Sequence, residues 1–222
     1  SWIRGKRWRF RKIESFIIIV SSLFSSMIKN IVLDMGNVCC KWDVDYISSK
    51  LTTNKEDQEF LIKYLFQSPQ WLQLDKGSIS LKEAKQQLLE SVSKEKRELI
   101  EYGFEHWFEY FEQFDEMEEF IKEYKQKGYH FYLLSNCSLQ FNQYYQTKSI
   151  FQHLEGLYIS AAHQKIKPNL DIFEDFLKEY HLQANECFFV DDLKENVEGT
   201  KKIGMQGLVY QGNVQELKQL IK

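Results

Sequence analysis

What most constrains this chain is a recurring unit: a short, unbroken apolar run followed by an amphipathic helical period. Ile31-Val-Leu33 stops at Asp34, Phe131-Tyr-Leu-Leu134 at Ser135, and Cys187-Phe-Phe-Val190 at Asp191. Leu157-Tyr-Ile159 and Gly207-Leu-Val-Tyr210 repeat the apolar part. Runs this short and continuous read as strands buried on both faces. Between them, Met117, Phe120, Ile121 and Tyr124 share one helical face, with Gly128 as the stop. Ile172, Phe173, Phe176, Leu177 and Tyr180 do the same after Pro168, and Val214, Leu217 and Ile221 close the chain. Such strands alternating with such helices predict an α/β fold: a parallel sheet with helices on both faces. In sheets of this kind the ligand sits beyond the carboxyl ends of the strands.

The stretch between the first two strands breaks the alternation. Residues 43–128 hold no convincing strand but several helical periods. One starts at Asn54 and carries Phe60, Leu61, Tyr64 and Leu65. Another starts at Ser80, where Ser-Leu-Lys-Glu83 spells a capping box ahead of the stripe Leu81, Ala84, Leu88 and Val92. A third runs through Leu99, Ile100 and Trp107. These helices predict a helical cap over 43–109, inserted after the first strand into a core of 27–42 and 110–222. An insertion at that point hangs over the strand ends as a lid.

Composition narrows the classes further. The chain has 222 residues, enough for one domain with an insertion, and its 15% aromatic content with two prolines excludes disorder. A formal net charge of −3 excludes a general nucleic-acid-binding role. That average hides an asymmetry: residues 1–26 carry +5 and the remainder −8. The basic stretch precedes Phe16-Ile-Ile-Ile-Val20 and Leu23-Phe24, the layout of a secretory signal, though too short to span a bilayer comfortably. Met27 opens directly onto the first strand, so 1–26 is expected to be an N-terminal extension outside the fold, either signal-like or not native. No stable membrane association is expected unless that segment is a native anchor. Cys39, Cys40, Cys137 and Cys187 show no CxxC spacing and read as buried reduced thiols, which suits a cytoplasmic protein.

The polar residues at the strand ends carry the chemistry. A single Asp or Ser after a strand is an ordinary helix cap. Asp34, Ser135 and the Asp191-Asp192 pair converging on one sheet edge, with Lys167 nearby, form a more specific set. They supply a carboxylate nucleophile, a hydroxyl, an ammonium and a carboxylate pair for a metal, the groups phosphoryl transfer needs.

In order and spacing this set resembles the haloacid dehalogenase superfamily. Ile31-Val-Leu-Asp-Met-Gly-Asn-Val38 is similar to its first motif, Phe131-Tyr-Leu-Leu-Ser-Asn136 to its second, and Lys167-Pro168 followed by Ile172-Phe173 to its third. Phe188-Phe-Val-Asp-Asp-Leu-Lys-Glu-Asn-Val-Glu-Gly199 is similar to the fourth. The nearest pattern is the subgroup with Asp-x-Gly-Asn-Val and a small helical cap, which includes bacterial glucose-1-phosphate phosphatases; Leu74-Asp-Lys-Gly-Ser-Ile-Ser-Leu-Lys-Glu-Ala84 resembles its cap segment. The resemblance implies a Rossmann-like core and a Mg²⁺-dependent phosphatase of a small phosphorylated metabolite, with no nucleic-acid partner; it leaves the oligomeric state open. It implies that Asp34 forms an aspartyl-phosphate. Asp34, the Gly36 carbonyl and Asp192 would hold Mg²⁺, with Asp191 and Asn196 in the same cluster, as a further ligand or directly behind the ligands. Ser135, Asn136 and Lys167 would bind the substrate phosphate.

Two departures stand out. Most phosphatases of the superfamily have an aspartate two residues after the nucleophile as general acid, and here that position is Gly36. The substitute is then a cap residue, a bound water or an easily expelled leaving group. Gln164 stands where a glycine is expected before Lys167, which predicts a less tightly turned loop. His163 reads as a polar loop residue or a proton relay, and Trp42 and Trp71 as aromatic packing or pocket lining. Two alternatives share the fold. A 2-haloacid dehalogenase needs no metal, so Asp191-Asp192 counts against it. A binding protein impaired at Gly36 leaves the full set of polar strand ends unexplained.

Overall fold

The computed structural model describes residues 28–221, so the expectation for 1–26 lies outside the described residues. Five strands, β1 (Asn30–Leu33), β2 (His130–Ser135), β3 (Gly156–Ile159), β4 (Cys187–Asp191) and β5 (Gln206–Val209), form one parallel sheet in the order β3-β2-β1-β4-β5. The fold is the α/β, Rossmann-like arrangement expected. β1 lies at the centre, the chain moves to one side for β2 and β3, and then crosses to the other for β4 and β5. The order reverses at β1, so its carboxyl end opens onto the crevice where such sheets bind ligands.

Register fixes which residues meet there. Leu33 stands opposite Leu133 on β2 and Val190 on β4, and the Asp34 N–H donates to the Val190 carbonyl at 2.9 Å. Asp34, Ser135 and Asp191 therefore leave the sheet within about one residue of a common level, set by the ladder itself. The faces alternate with the period of two that strands impose. Ile31, Leu33, Phe131, Leu133, Phe188 and Val190 belong to one apolar cluster, and Val32, Tyr132, Leu134, Tyr158 and Phe189 to the other.

The segment between β1 and β2 is helical, as its periodicity predicts. It contains α1 (Val44–Leu51), α2 (Lys55–Leu61), α3 (Pro69–Lys76), α4 (Leu81–Glu90) and α5 (Lys94–His106), followed by α6 (Asp115–Gln126) on the sheet. Asn54 caps α2, accepting from Asp57 N, and the Ser80–Glu83 capping box of α4 is present in both directions. α1, capped by Asp43, and α3, led by Ser68 and Pro69 and stopped by Gly77, went unread in the sequence. Each is eight residues long, too short for a full apolar stripe to show. The remaining long helices are α7 (Leu170–Glu179), α8 (Lys194–Lys202) and α9 (Val214–Leu220). Helix α6 packs on the first sheet face through Met117, Phe120 and Ile121, and α7 on the second through Ile172, Phe173 and Phe176.

The insert leaves and rejoins the sheet through paired backbone: Lys41 N donates to Glu112 O at 2.8 Å and Phe114 N to Cys39 O at 2.9 Å. Its own apolar residues, among them Ile47, Leu61, Leu88 and Phe104, form one continuous cluster with the first sheet face. Cys39, Cys40, Cys137 and Cys187 are all free and buried; burial raises the Cys39 and Cys137 thiols well above their ordinary range and Cys40 and Cys187 to about 12. Among the described residues no helix is long and apolar enough to cross a membrane.

The insert is also pinned at its far side. Gly77 ends α3 with φ +71°, and a Cβ built there would lie 2.1 Å from the Ala161 carbonyl oxygen. The Gly77→Ala variant therefore combines left-handed strain of about 1–2 kcal/mol with a backbone clash that only displacement of α3 relieves. It should melt about 4–8 °C below wild type. Gly128→Ala, also at positive φ (+92°) but with nothing within 4 Å, carries the strain alone and should lose about half as much or less. Equal losses in thermal denaturation would show that the Ala161 contact is unimportant.

Candidate active site

A cavity of about 470 Å³ opens at the carboxyl edge of the sheet. Its floor holds Asp34, Gly36, Ser135, Asn136, Lys167 and Asp192, and its walls include Trp42, Phe66, Trp71, Trp107, Phe111 and Tyr144. Six residues expected at the site from sequence thus line one space, and the seventh, Asp191, lies directly behind them.

Lys167 organises the floor. Its side chain is 1% exposed, and Nζ donates to Asp34 Oδ1 (2.7 Å), Asp191 Oδ2 (2.7 Å) and the Leu134 carbonyl (2.9 Å). All three ammonium hydrogens are thereby used by protein oxygens. Lys167 is expected to grip the substrate phosphate; in this structure its ammonium contacts the two carboxylates and the Leu134 carbonyl. Burial alone would lower its pKa, but Asp34 and Asp191 outweigh that and raise it. Asp34 shows the opposite balance: burial pushes its carboxyl up, Lys167 pulls it back, Asp191 pushes it up again, and it settles at about 6.

The two neighbouring aspartates have different surroundings. Asp191 is fully buried, and both of its oxygens accept from Asn196 Nδ2 at 3.0 Å, with Leu193 N (2.8 Å) and Lys167 completing its shell. Asp192 is half-buried, with Asn37 Nδ2 donating to Oδ2 at 2.9 Å. Among the described residues nothing else bonds Asp192, which leaves Oδ1 open.

Asn37 was not singled out in the sequence. It sits at φ +56°, a conformation asparagine tolerates better than most residues, and its Oδ1 accepts from Trp42 N at 3.1 Å. The only cue was an asparagine directly after Gly36. Asn136, expected to bind substrate, lines the cavity but has a second task. Its Nδ2 donates to the Lys167 carbonyl (3.0 Å) and its Oδ1 accepts from Lys167 N (2.9 Å), which fixes the lysine's backbone. Gly36 has no positive φ, and an added Cβ would meet only Trp42, at 3.5 Å. Nothing in the backbone there demands glycine.

Gln164 adopts φ +54°, so the loop makes its left-handed turn without the expected glycine rather than relaxing. His163 stacks on Tyr158 with ring centroids 3.8 Å apart and does not line the cavity. Trp42 and Trp71 pack against each other, centroids 5.8 Å apart, and also line the cavity.

The floor fits a hard divalent cation. One carboxylate oxygen each from Asp34, Asp191 and Asp192 lie within 4.8 Å of one another, and one ammonium faces the three acids. Oxygen donors with uncompensated negative charge suit Mg²⁺. Asp34 and Asp192 have the accessible oxygens; Asp191 is saturated by protein donors and acts through Lys167 and Asn196.

A buried carboxylate held by a lysine thus stands at the switch point of a parallel sheet, beside two further acids. The chain matches the haloacid dehalogenase-like hydrolase family over residues 53–209 and belongs to that family. It is 28% identical over 191 residues to a D-ribitol-5-phosphate phosphatase of Bacteroides thetaiotaomicron, covering 81% of this chain and 90% of that protein. It is 31% identical over 109 residues to a sesquiterpene phosphatase of Aspergillus oryzae, covering 47% of this chain and 56% of that one. A family enzyme of Bacteroides thetaiotaomicron, solved with magnesium and inorganic phosphate, superposes with a TM-score of 0.65 at 21% identity, over 84% of this chain and 96% of that one.

Proposed function

We propose that this protein is a Mg²⁺-dependent phosphatase of a small phosphorylated metabolite, acting through a phosphorylated Asp34. The observation that carries this is the Asp34–Lys167–Asp191 triad, whose Asp34 and Lys167 share the floor of one cavity with Ser135 and Asp192. The relatives named as phosphatases and the magnesium- and phosphate-bound neighbour support the same reading. In it, residues 27–42 and 110–222 form the catalytic core, and 43–109 the cap that closes over the substrate.

Asp34, the Gly36 carbonyl and Asp192 would hold the cation, which when bound offsets the charge of the phosphoryl oxygens. Lys167 keeps one Asp34 oxygen engaged, leaving the other to attack phosphorus. The Ser135 hydroxyl, at the end of β2, donates to a phosphoryl oxygen. Water then cleaves the acyl phosphate and restores Asp34. The aromatic walls exclude bulk water, which strengthens each of these interactions.

The test is phosphate release from p-nitrophenyl phosphate. Turnover is expected, and a strong chelator should abolish it. Asp192→Ala should recover part of its activity at raised Mg²⁺, because its defect lies in metal affinity. Undiminished turnover under chelation, or turnover of a 2-haloacid in place of phosphate esters, would overturn the reading.

A further inference from the structure

Gly36 leaves the reaction without the acid that most family phosphatases place two residues after the nucleophile. The cavity nonetheless holds one more carboxyl group. Asp75, near the end of α3, lines the same space as Asp34, Ser135 and Lys167 but stands outside the cluster of three acids suited to a cation. The geometry points to Asp75 as the general acid that protonates the leaving oxygen, an assignment that rests on the phosphatase reading above.

Three features hold Asp75 in place. The buried Ser160 hydroxyl donates to the Asp75 backbone carbonyl, and the same hydroxyl accepts from Cys137 N at 2.9 Å. Two residues on, Gly77 lies against the Ala161 backbone. The Ser138 backbone N–H faces the Asp75 carboxyl and favours its charged form. The residue thus belongs to the insert by sequence but is tied to the loops after β2 and β3.

The protonation state agrees with this role. Burial raises the Asp75 carboxyl well above the ordinary carboxylate range, and the Ser138 N–H opposes that only in part. Lys167 is fully engaged by Asp34, Asp191 and Leu134, so it supplies no N–H to draw the proton off. The neighbours it acts on electrostatically, Cys137 and Tyr144, are themselves held neutral by burial.

The reaction then balances. An Asp34 oxygen forms a bond to phosphorus. The bond from phosphorus to the ester oxygen breaks, its electron pair stays on that oxygen, and the oxygen takes the Asp75 proton and leaves as the alcohol. Water enters from the side the alcohol vacated, gives a proton to the Asp75 carboxylate, and attacks phosphorus. The Asp34–phosphorus bond breaks, phosphate departs, and both carboxyl groups return to their starting state. One residue serves both halves because leaving group and water occupy the same side of the phosphorus, opposite Asp34.

Asp75→Asn removes the acidic proton and keeps the size and shape of the side chain. The experiment measures kcat/KM for wild type and Asp75→Asn over phosphate monoesters of graded leaving-group acidity, from p-nitrophenyl to simple alkyl. The variant should lose about 10²- to 10³-fold on alkyl esters and less than about 5-fold on the p-nitrophenyl ester. Its dependence on leaving-group acidity should be steep where the wild type's is shallow. With p-nitrophenyl phosphate it should also release a burst of nitrophenol, since hydrolysis of the phosphorylated enzyme now lacks its base. An equal loss on every ester, or no loss, would overturn the assignment. Wild type that hydrolyses no ester would instead sink the phosphatase reading itself.

Discussion

Asp34→Asn is expected to lower turnover by about 10⁴-fold or more, while the metal-free variant melts at or above the wild-type temperature. The amide cannot attack phosphorus, so the chemical step has no substitute. Stability moves the other way because of where the carboxylate sits. Its pKa rises from the ordinary 3.8 to about 6 on folding, so the folded state holds the proton more tightly than the unfolded chain does. For a carboxyl group raised in this way, the stabilisation is complete below about 3.8 and is lost as pH climbs through 6. Between those values the chelated wild type should lose stability that Asp34→Asn does not lose. Retention of activity by this variant would remove Asp34 as nucleophile. A metal-free variant markedly less stable than wild type at pH 7 would contradict the electrostatic account of the floor.

Lys167→Met should be the most destabilising change at the site. It removes the ammonium that two carboxylates share at 2.7 Å and leaves Asp34 and Asp191 facing each other out of water. Breaking a buried pair by deleting one partner costs about 3–5 kcal/mol. For a chain of this length that is a fall of roughly 6–20 °C in melting temperature. The penalty should shrink as pH falls, because protonating either acid relieves it. Turnover should fall as well, and raised Mg²⁺ should not restore it, in contrast to Asp192→Ala, since cation occupancy does not replace the contact that orients Asp34. A Lys167→Met protein as stable as wild type at pH 7, or one revived by Mg²⁺, would show that the lysine is not the organiser described.

The residues read most easily in the sequence are those whose place depends on the strand ladder. Asp34, Ser135 and Asp191 each end a buried apolar run, and parallel register does the rest, so their meeting follows from pattern alone. Lys167 needed its Pro168 and the family spacing to be found. Asn37 and Asn136 were harder, because their contribution lies in clamps onto Asp192 and Lys167 from 155 and 31 residues away. Asp75 lies in the segment that resembles the family's cap, but nothing in the sequence marked the residue itself. An aspartate near the end of a short amphipathic helix looks like any solvated carboxylate until Gly77 meets Ala161 and Ser160 meets the Asp75 carbonyl. Both contacts join distant segments, and neither leaves a periodic trace.

The cavity walls give the protein a built-in optical reporter. Among the described residues, Trp42, Trp71 and Trp107 line the cavity, with neighbouring ring centroids 5.3 to 5.8 Å apart. Indole emission shifts with the polarity of its surroundings, and a ligand that displaces water from this space changes the surroundings of all three together. Occupancy can therefore be followed by intrinsic fluorescence under conditions where no turnover occurs, as with Asp34→Asn and an intact ester. Binding and catalysis, which a rate measurement merges, become separately readable in the same unlabelled chain.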